Sequence, residues 1–504
     1  MTTAMTTKTT PPTSEAPAQR QQQQNAVAKW MLPYFGFMAL SAAAVLLDES
    51  TLSQWMGVDT AMGESETERF LGQLFTYTHK PLWPLNLSDY VGFTLAIIGL
   101  VIASSGGIGG GGILVPVYII VMRFTPKHAI ALSNVTIFGG AVANTYLNSM
   151  KRHPYADRPL VDWDLILVME PLTIGGALAG ALLNKVLPEV VLVVLLVIVL
   201  SATAWKTLNK GIKLYQKETA VIRESQRLVE EAKANGIEDG DAEDGETEND
   251  GLLKGYGTLD TLEYKDELTD LITAETKTPI FNISTLIVMF VVVLIINMLK
   301  GGGAFASPVG IVCGSVWFWL ANLSMILWSL AVMLTARDYL VKRWKLKTKI
   351  GYKYVEGDIE WDGRATLVYP AICSLAGFFA GMFGIGGGIV KGPLMLAMGV
   401  HPEVASATSA CMILFTAFTA TTSFLVFGLL VYDYAAVCVV MGFVATYFGQ
   451  VGMTAIMKKH GRYSFIVFSI GSVVGLSALL MAIEFFASGG GSLKPSGVCG
   501  AGHK

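Results

Sequence analysis

A lysine stands alone in the apolar stretch from Gly388 to Ala397, three residues behind the run Gly386, Gly387 and Gly388. A cation at the centre of a bilayer costs about 2.5–3.5 kcal/mol on insertion scales. Lys391 therefore needs an anion or a polar cavity to compensate it; snorkelling to the interface is the structural alternative. The glycines ahead of it supply a second attraction for anions. A helix that begins there leaves N–H groups unpaired and turns the positive end of its dipole outward.

The same arrangement occurs earlier as Gly109, Gly110 and Gly111, with Leu114 in the place of Lys391. Polar, uncharged residues follow each run: Ser133, Asn134, Asn144 and Thr145 in the first copy, and Ser406, Thr408, Ser409, Thr416 and Thr419 in the second. Hydroxyl and amide donors suit oxyanion oxygens without adding fixed charge, although such residues also bond their own or neighbouring helices in membranes. The candidate substrate-binding set is Gly109, Gly110, Gly111, Ser133, Asn134, Gly386, Gly387, Gly388, Lys391, Thr408 and Ser409. Glu170, beside Pro171 in an apolar span of about 164–184, is the candidate for a coupling proton, with an interfacial position as its alternative.

The elements that must position these residues follow from an internal repeat. Ile108–Gly111 lines up with Ile385–Gly388, and Pro116 with Pro393. After a one-residue deletion, Pro126 meets Pro402, Ala129 meets Ala405, and Ser133 meets Ser409. The apolar run after each break is about eleven residues, roughly half the hydrocarbon core at 1.5 Å per residue. Each copy thus reads as a span, a glycine break and a half-helix. Neither break is a nucleotide loop, because Gly-Lys followed by Ser or Thr is missing.

Composition sets the class. Of 504 residues, 52% are hydrophobic and only 15% charged, against about a quarter charged in soluble domains. The charges cluster between long uncharged stretches, the pattern of membrane spans joined by wet loops. With a net charge of −3 and no basic, aromatic-laced patch, no nucleic acid is expected. Five scattered cysteines (Cys313, Cys373, Cys411, Cys438 and Cys499) form no CxxC or Cys/His pattern, so they read as packing residues; no metal and no cofactor is expected.

The expected organisation is a disordered tail (1–29), an anchor or signal segment (30–47), an extracytosolic polar loop (48–87) and transmembrane repeat 1 (88–206). A cytosolic acidic linker (207–278), two connecting helices (279–336), a basic cytosolic loop (337–363), transmembrane repeat 2 (364–486) and a tail (487–504) follow. Placing the basic loops at 151–158, 206–227, 337–353 and 458–462 in the cytosol gives one consistent path, on which the two repeats are inverted. Inverted repeats characterise secondary transporters, with the site near the midplane where the repeats meet. The fold expected is all-α, a polytopic transmembrane bundle with two inverted repeats, each carrying a Gly-broken half-helix.

The two glycine motifs, Gly107–Gly111 with Pro116 and Gly384–Gly388 with Pro393, resemble those of the sulfite exporter TauE/SafE-type permeases, the plant and protist branch most of all. Two further stretches carry the resemblance: Glu356–Asp362 and His401–Ser409. It covers about 88–486 and implies transport of sulfite or an organosulfonate. The Glu170 region looks less standard for that family. The expected function is a secondary transporter that exports a small sulfur oxoanion by alternating access, favoured by a cytosol-negative potential at about 2.3 kcal/mol per charge per 100 mV. Alternatives are a channel-like anion pore, or a receptor or scaffold derived from a transporter. No enzyme is expected, since the spans hold no paired Asp, no HExxH and no Ser/His pairing. The expected partners are the anion, the lipid bilayer, a coupling proton and, as an open alternative, further copies of the chain. Which membrane holds the protein, plasma membrane or endomembrane, is left open by the sequence.

Overall fold

The structure is a computed structural model that describes residues 81–104, 109–234, 265–460 apart from 353 and 356, and 464–487. The N-terminal tail, the anchor or signal segment, most of the loop 48–87, the acidic run of the linker and nearly all of the C-terminal tail lie outside these residues, as do Gly107 and Ile108.

The described residues form helices throughout: α1 (Leu87–Ser104), α2 (Gly111–Ile120), α3 (Pro126–Ser149), α4 (Trp163–Val186), α5 (Glu189–Ala234), α6 (Lys265–Thr276), α7 (Ile280–Lys300), α8 (Val316–Lys349), α9 (Ala365–Phe383), α10 (Gly388–Ala397), α11 (Pro402–Val426), α12 (Tyr432–His460) and α13 (Ser464–Ala487). Nine helices among the described residues (α1, α3, α4, α5, α7, α8, α9, α11 and α12) are long and apolar enough to cross a bilayer.

Local chemistry sets the ends. Asp162 caps α4 by accepting from the Leu165 amide at 3.0 Å, and Ser315 caps α8 by accepting from Phe318 at 3.3 Å. α3 and α11 both begin on a proline, Pro126 and Pro402, whose missing N–H costs nothing in the first turn. The short helices α2 and α10 have ten residues each, about 15 Å at 1.5 Å per residue. Both start behind two glycines with left-handed backbone: Gly109 and Gly110 (φ 81° and 77°) ahead of α2, Gly386 and Gly387 (φ 71° and 72°) ahead of α10. Only glycine adopts this conformation without strain, so the two breaks share one backbone device.

The core lies among α3, α4 and α11, which are buried over most of their length, while α1, α5, α7 and α8 stay largely exposed. The exposed surface is apolar: Leu95 and Ile98 on α1, Val288, Val291 and Ile295 on α7, and Leu323, Leu327 and Leu334 on α8. Apolar exposure on this scale is stable against lipid rather than water.

α9 packs along α4, α12 along α3 and α1, α11 against both α3 and α4, and α13 along α5. The α4–α9 pair is a backbone-to-backbone contact. A Cβ on Gly176 or Gly180 of α4 would fall on the carbonyl oxygen of Ser374 or Phe378; one on Gly377 or Gly381 of α9 would fall on that of Thr173 or Ala177. Two small-xxx-small stripes thus mesh, which is how membrane helices gain close packing without a hydrophobic drive between them.

Substituting Gly180→Val or Gly381→Val should cost about 1–3 kcal/mol, the usual price of overpacking. It should lower the thermal midpoint of detergent-purified protein by several degrees. Gly363→Ala, where an added Cβ meets nothing within 4 Å, should leave the midpoint in place.

Candidate functional site

The two glycine breaks meet inside the bundle. A Cβ on Gly111 would collide with the backbone of Gly384 and Ile385. Gly109 and Gly386 both face the same two side chains, Ile137 of α3 and Ile413 of α11, with an added Cβ falling 3.0–3.7 Å from them. The register that pairs Pro126 with Pro402 also pairs Ile137 with Ile413, so equivalent residues of the two copies close the space between the breaks. The Ser133 hydroxyl donates to the Gly384 carbonyl at 2.8 Å and so ties α3 to the second break.

Lys391 is fully buried and does not snorkel. Its ammonium lies 3.1 Å from Glu170 Oε2 and donates to Thr416 Oγ1 at 2.6 Å. The Thr416 hydroxyl lies 2.7 Å from Glu170 Oε1 and 2.9 Å from the Met412 carbonyl oxygen. The lysine stem folds over the break, its Cε 3.4 Å from the position of a Cβ on Gly387. Three helices therefore converge: α4 brings the carboxylate, α10 the ammonium and α11 the hydroxyl. Glu170 is fully buried too, inside the bundle rather than on its surface.

The other half is different. The same register sets Gly140 opposite Thr416, and a Cβ on Gly140 would collide with Thr446 Oγ1 of α12. With Leu114 in place of Lys391 and Gly140 in place of Thr416, that half lacks both the ammonium and the hydroxyl of the other. A cavity of about 10 Å³ lies there instead, lined by Ser104, Gly109, Ile137, Asn144, Ile413 and Thr446, room for about one water. The Asn144 carbonyl oxygen is buried without a partner.

The remaining sequence candidates divide. Thr408 accepts from the Asp162 amide at 3.0 Å and so holds the start of α4. Asn134 donates back to the Ile130 carbonyl at 3.2 Å, a structural use. Ser409 is fully buried. Outside that set, at the start of α3, Lys127 donates to the Lys185 carbonyl at 2.9 Å, and His128 contacts the Leu429 carbonyl at 2.7 Å. Cys373, Cys411 and Cys438 are buried free thiols, as expected of packing residues. Cys313, between α7 and α8, is instead disulfide-bonded, a pairing that the scattered cysteines gave no pattern to suggest.

At one mouth of the bundle lies a larger cavity of about 100 Å³, lined by residues that include His153, Arg158, Asp162, Glu275, Arg343 and Asp358. Arg158 pairs with Asp358. Arg343 bridges Asp164 (2.7 Å) and Glu275 (3.0 Å), and Lys347 also meets Glu275, at 2.6 Å. Burial works against the Glu275 charge, but Lys347, Tyr352 and Arg343 outweigh it and hold that carboxyl below its usual range. Burial, reinforced by Arg158, pushes His153 down to about 4. Burial, then Asp164, pushes Asp162 up to about 6.

An all-helical bundle in which nine helices of the described residues are long and apolar enough to cross a bilayer is a multi-pass membrane protein. The chain belongs to the sulfite exporter TauE/SafE family, whose model matches residues 91–236 and 280–477. It is similar to Sulfite exporter TauE/SafE family protein 2 of Arabidopsis thaliana, 29% identical over 81% of this chain and 85% of that protein. It is also similar to family protein 5 of the same plant, 30% identical over 77% and 81%, and to family protein 1, 27% identical over 86% and 88%. No solved structure matches the chain.

Two outcomes test this geometry. Glu170→Gln or Lys391→Met alone strands a buried charge and should cost about 3–5 kcal/mol, whereas the double variant should recover most of that loss in thermal unfolding of purified protein. For Asp162, the folded-state pKa lies above the usual 3.8, so its contribution to stability falls as pH rises from 3.8 to about 6. Asp162→Asn keeps a capping oxygen and should stabilise the protein at pH 7.5, the gain shrinking towards pH 5.

Proposed function

We propose that the protein is a secondary carrier of a small sulfur oxoanion, sulfite or an organosulfonate, which it exports by alternating access. The observation that carries this reading is the convergence of two helix starts beside a buried lysine. Gly111 and Gly388 open half-helices whose N–H groups and dipoles favour negative charge, and Lys391 adds a full positive charge next to the second. The names of the relatives, sulfite exporter family proteins, support sulfur oxoanions as the class. A carrier is favoured over a channel-like pore because Ile137 and Ile413 close the space between the breaks and leave there a cavity of only about 10 Å³. A binding chamber opens only when the two halves move apart. The reading is of a carrier and not an enzyme, since the buried polar groups form an ion pair rather than a nucleophile with its base.

The inverted arrangement draws support from several contacts. The basic loops 151–158 and 337–363, both assigned to the cytosol by the positive-inside rule, touch through Arg158 and Asp358. Glu218 of α5 accepts from Ser464 at the start of α13, as a shared cytosolic end requires. Cys313 falls between α7 and α8 on the opposite side, where oxidising conditions allow a disulfide. On this path α1 and α2 form a hairpin entering from outside, α9 and α10 one entering from the cytosol, and the tips meet. The cavity at Arg158 and Asp162 is then the cytosolic mouth. The membrane is either the plasma membrane or an endomembrane.

Purified protein in proteoliposomes should exchange radiolabelled sulfite with saturating kinetics. A panel of unlabelled sulfite, sulfate, thiosulfate, methanesulfonate and taurine should compete unequally. Lys391→Met should lower the exchange rate tenfold or more; full flux with unaltered affinity would remove Lys391 from the site, and flux that never saturates would favour the pore.

A further inference from the structure

We infer that Glu170 is the resident occupant of the anion site, and that its carboxylate leaves Lys391 only when protonated, so that each anion bound is accompanied by one proton. This rests on the carrier reading above and assigns its coupling.

The geometry has three parts. First, the carboxylate does for Lys391 and Thr416 what an oxyanion would: one oxygen meets the ammonium at 3.1 Å and the other meets the hydroxyl at 2.7 Å. A sulfite or sulfonate offers the same pair of anionic oxygens. Second, the site has one positive charge. Lys391 is the sole charge acting on Glu170 among the described residues. The other titratable groups facing the pair are the Cys373 thiol from α9 and the Cys411 thiol from α11; none from α7 or α8 acts on it. Two anions beside one ammonium in a sealed, low-dielectric space repel strongly, so a bound oxyanion and an ionised Glu170 exclude each other. Third, Thr416 is built to switch. Its hydroxyl has one proton and two acceptors within reach, Glu170 Oε1 at 2.7 Å and the Met412 carbonyl at 2.9 Å. When Glu170 takes a proton and turns away, Thr416 can offer its own proton to the oxyanion or return it to Met412.

The other half sets the stoichiometry. There Leu114 stands for Lys391 and Gly140 for Thr416, and no ionisable side chain lines the small cavity beside them, so among the described residues Lys391 and Glu170 are the one ion pair where the breaks meet. The empty carrier closes with Glu170 ionised and paired. The loaded carrier closes with Glu170 protonated and the anion paired. Both sealed states hold the same net charge, so moving a monoanion with its proton carries no net charge across the bilayer. Transport then follows a pH difference and not voltage, so export runs where the cytosol is the more acidic side, and the voltage-favoured export expected from the sequence does not apply on this reading.

The test uses the full-length protein in proteoliposomes, with empty liposomes as the background. Methanesulfonate is the first probe because its single charge does not change with pH; labelled sulfite is the second. With voltage clamped to zero by potassium and valinomycin, a one-unit pH gradient, acid outside, should concentrate the anion inside about tenfold at equilibrium. The lumen should acidify as the anion enters, read by a trapped pH dye. A voltage of either sign at equal pH should leave the methanesulfonate distribution near unity. Glu170→Gln should lose both the pH-driven accumulation and the lumenal acidification, while exchange of labelled anion stays measurable above empty liposomes. Accumulation driven by voltage and indifferent to pH overturns the inference and leaves the carrier reading intact. So does a Glu170→Gln protein that still concentrates anion along the pH gradient. If neither probe exchanges at all, the anion reading itself falls. Should Glu170→Gln fail to fold, the gradient experiments on the unmodified protein decide.

Discussion

A lysine ammonium cannot rest in hydrocarbon without a partner, and much of the interior is arranged around that constraint. Lys391 is carried on a half-helix too short to reach either surface. Its charge must therefore be met inside the bundle, and α4 supplies the carboxylate at the depth where α10 begins. Holding α4 there requires α9, the span directly ahead of the break, to lie against it at backbone distance. The meshed glycines of the two helices allow that approach, because any side chain at Gly176, Gly180, Gly377 or Gly381 would strike a carbonyl oxygen. Close packing and charge compensation are thus one problem with one solution.

The breaks impose a second constraint. A helix interrupted within the membrane exposes amides that lipid cannot satisfy, so broken helices survive only where protein or a wet cavity covers them. Here each break covers the other. Gly111 lies against Gly384 and Ile385, Ser133 bonds the Gly384 carbonyl, and Ile137 and Ile413 fill the remaining space. On the proposed carrier reading, the same junction offers polar backbone to a guest once the halves part.

The ion pairs at the mouth act on a different part of the molecule. Glu275, at the end of the linker helix α6, is clasped by Arg343, Lys347 and Tyr352, and Arg152 donates to the Thr276 carbonyl. The linker is therefore tied to the loops that lead into both repeats. The pair buried in the core is asymmetric where the backbone is duplicated: one copy has an ammonium and its carboxylate, the other a leucine and a small cavity.

Much was legible in one dimension. Long uncharged stretches specified a membrane bundle, because charges are excluded from hydrocarbon whatever the fold. The repeated glycines specified two broken helices, because φ values of 71–81° exclude most other residues locally. Lys391 and Glu170 were each conspicuous as charges in apolar surroundings. Their partnership was not, since 221 residues separate them and nothing local records which face of α4 meets α10. Thr416 was one hydroxyl among many until α11 set it between the two charges. Ile137 and Ile413 read as ordinary core residues until the breaks closed on them. Residue type and short spacing fix what a segment must do with its own backbone and charge; only the packing of distant helices decides which charges meet and what space is left between them.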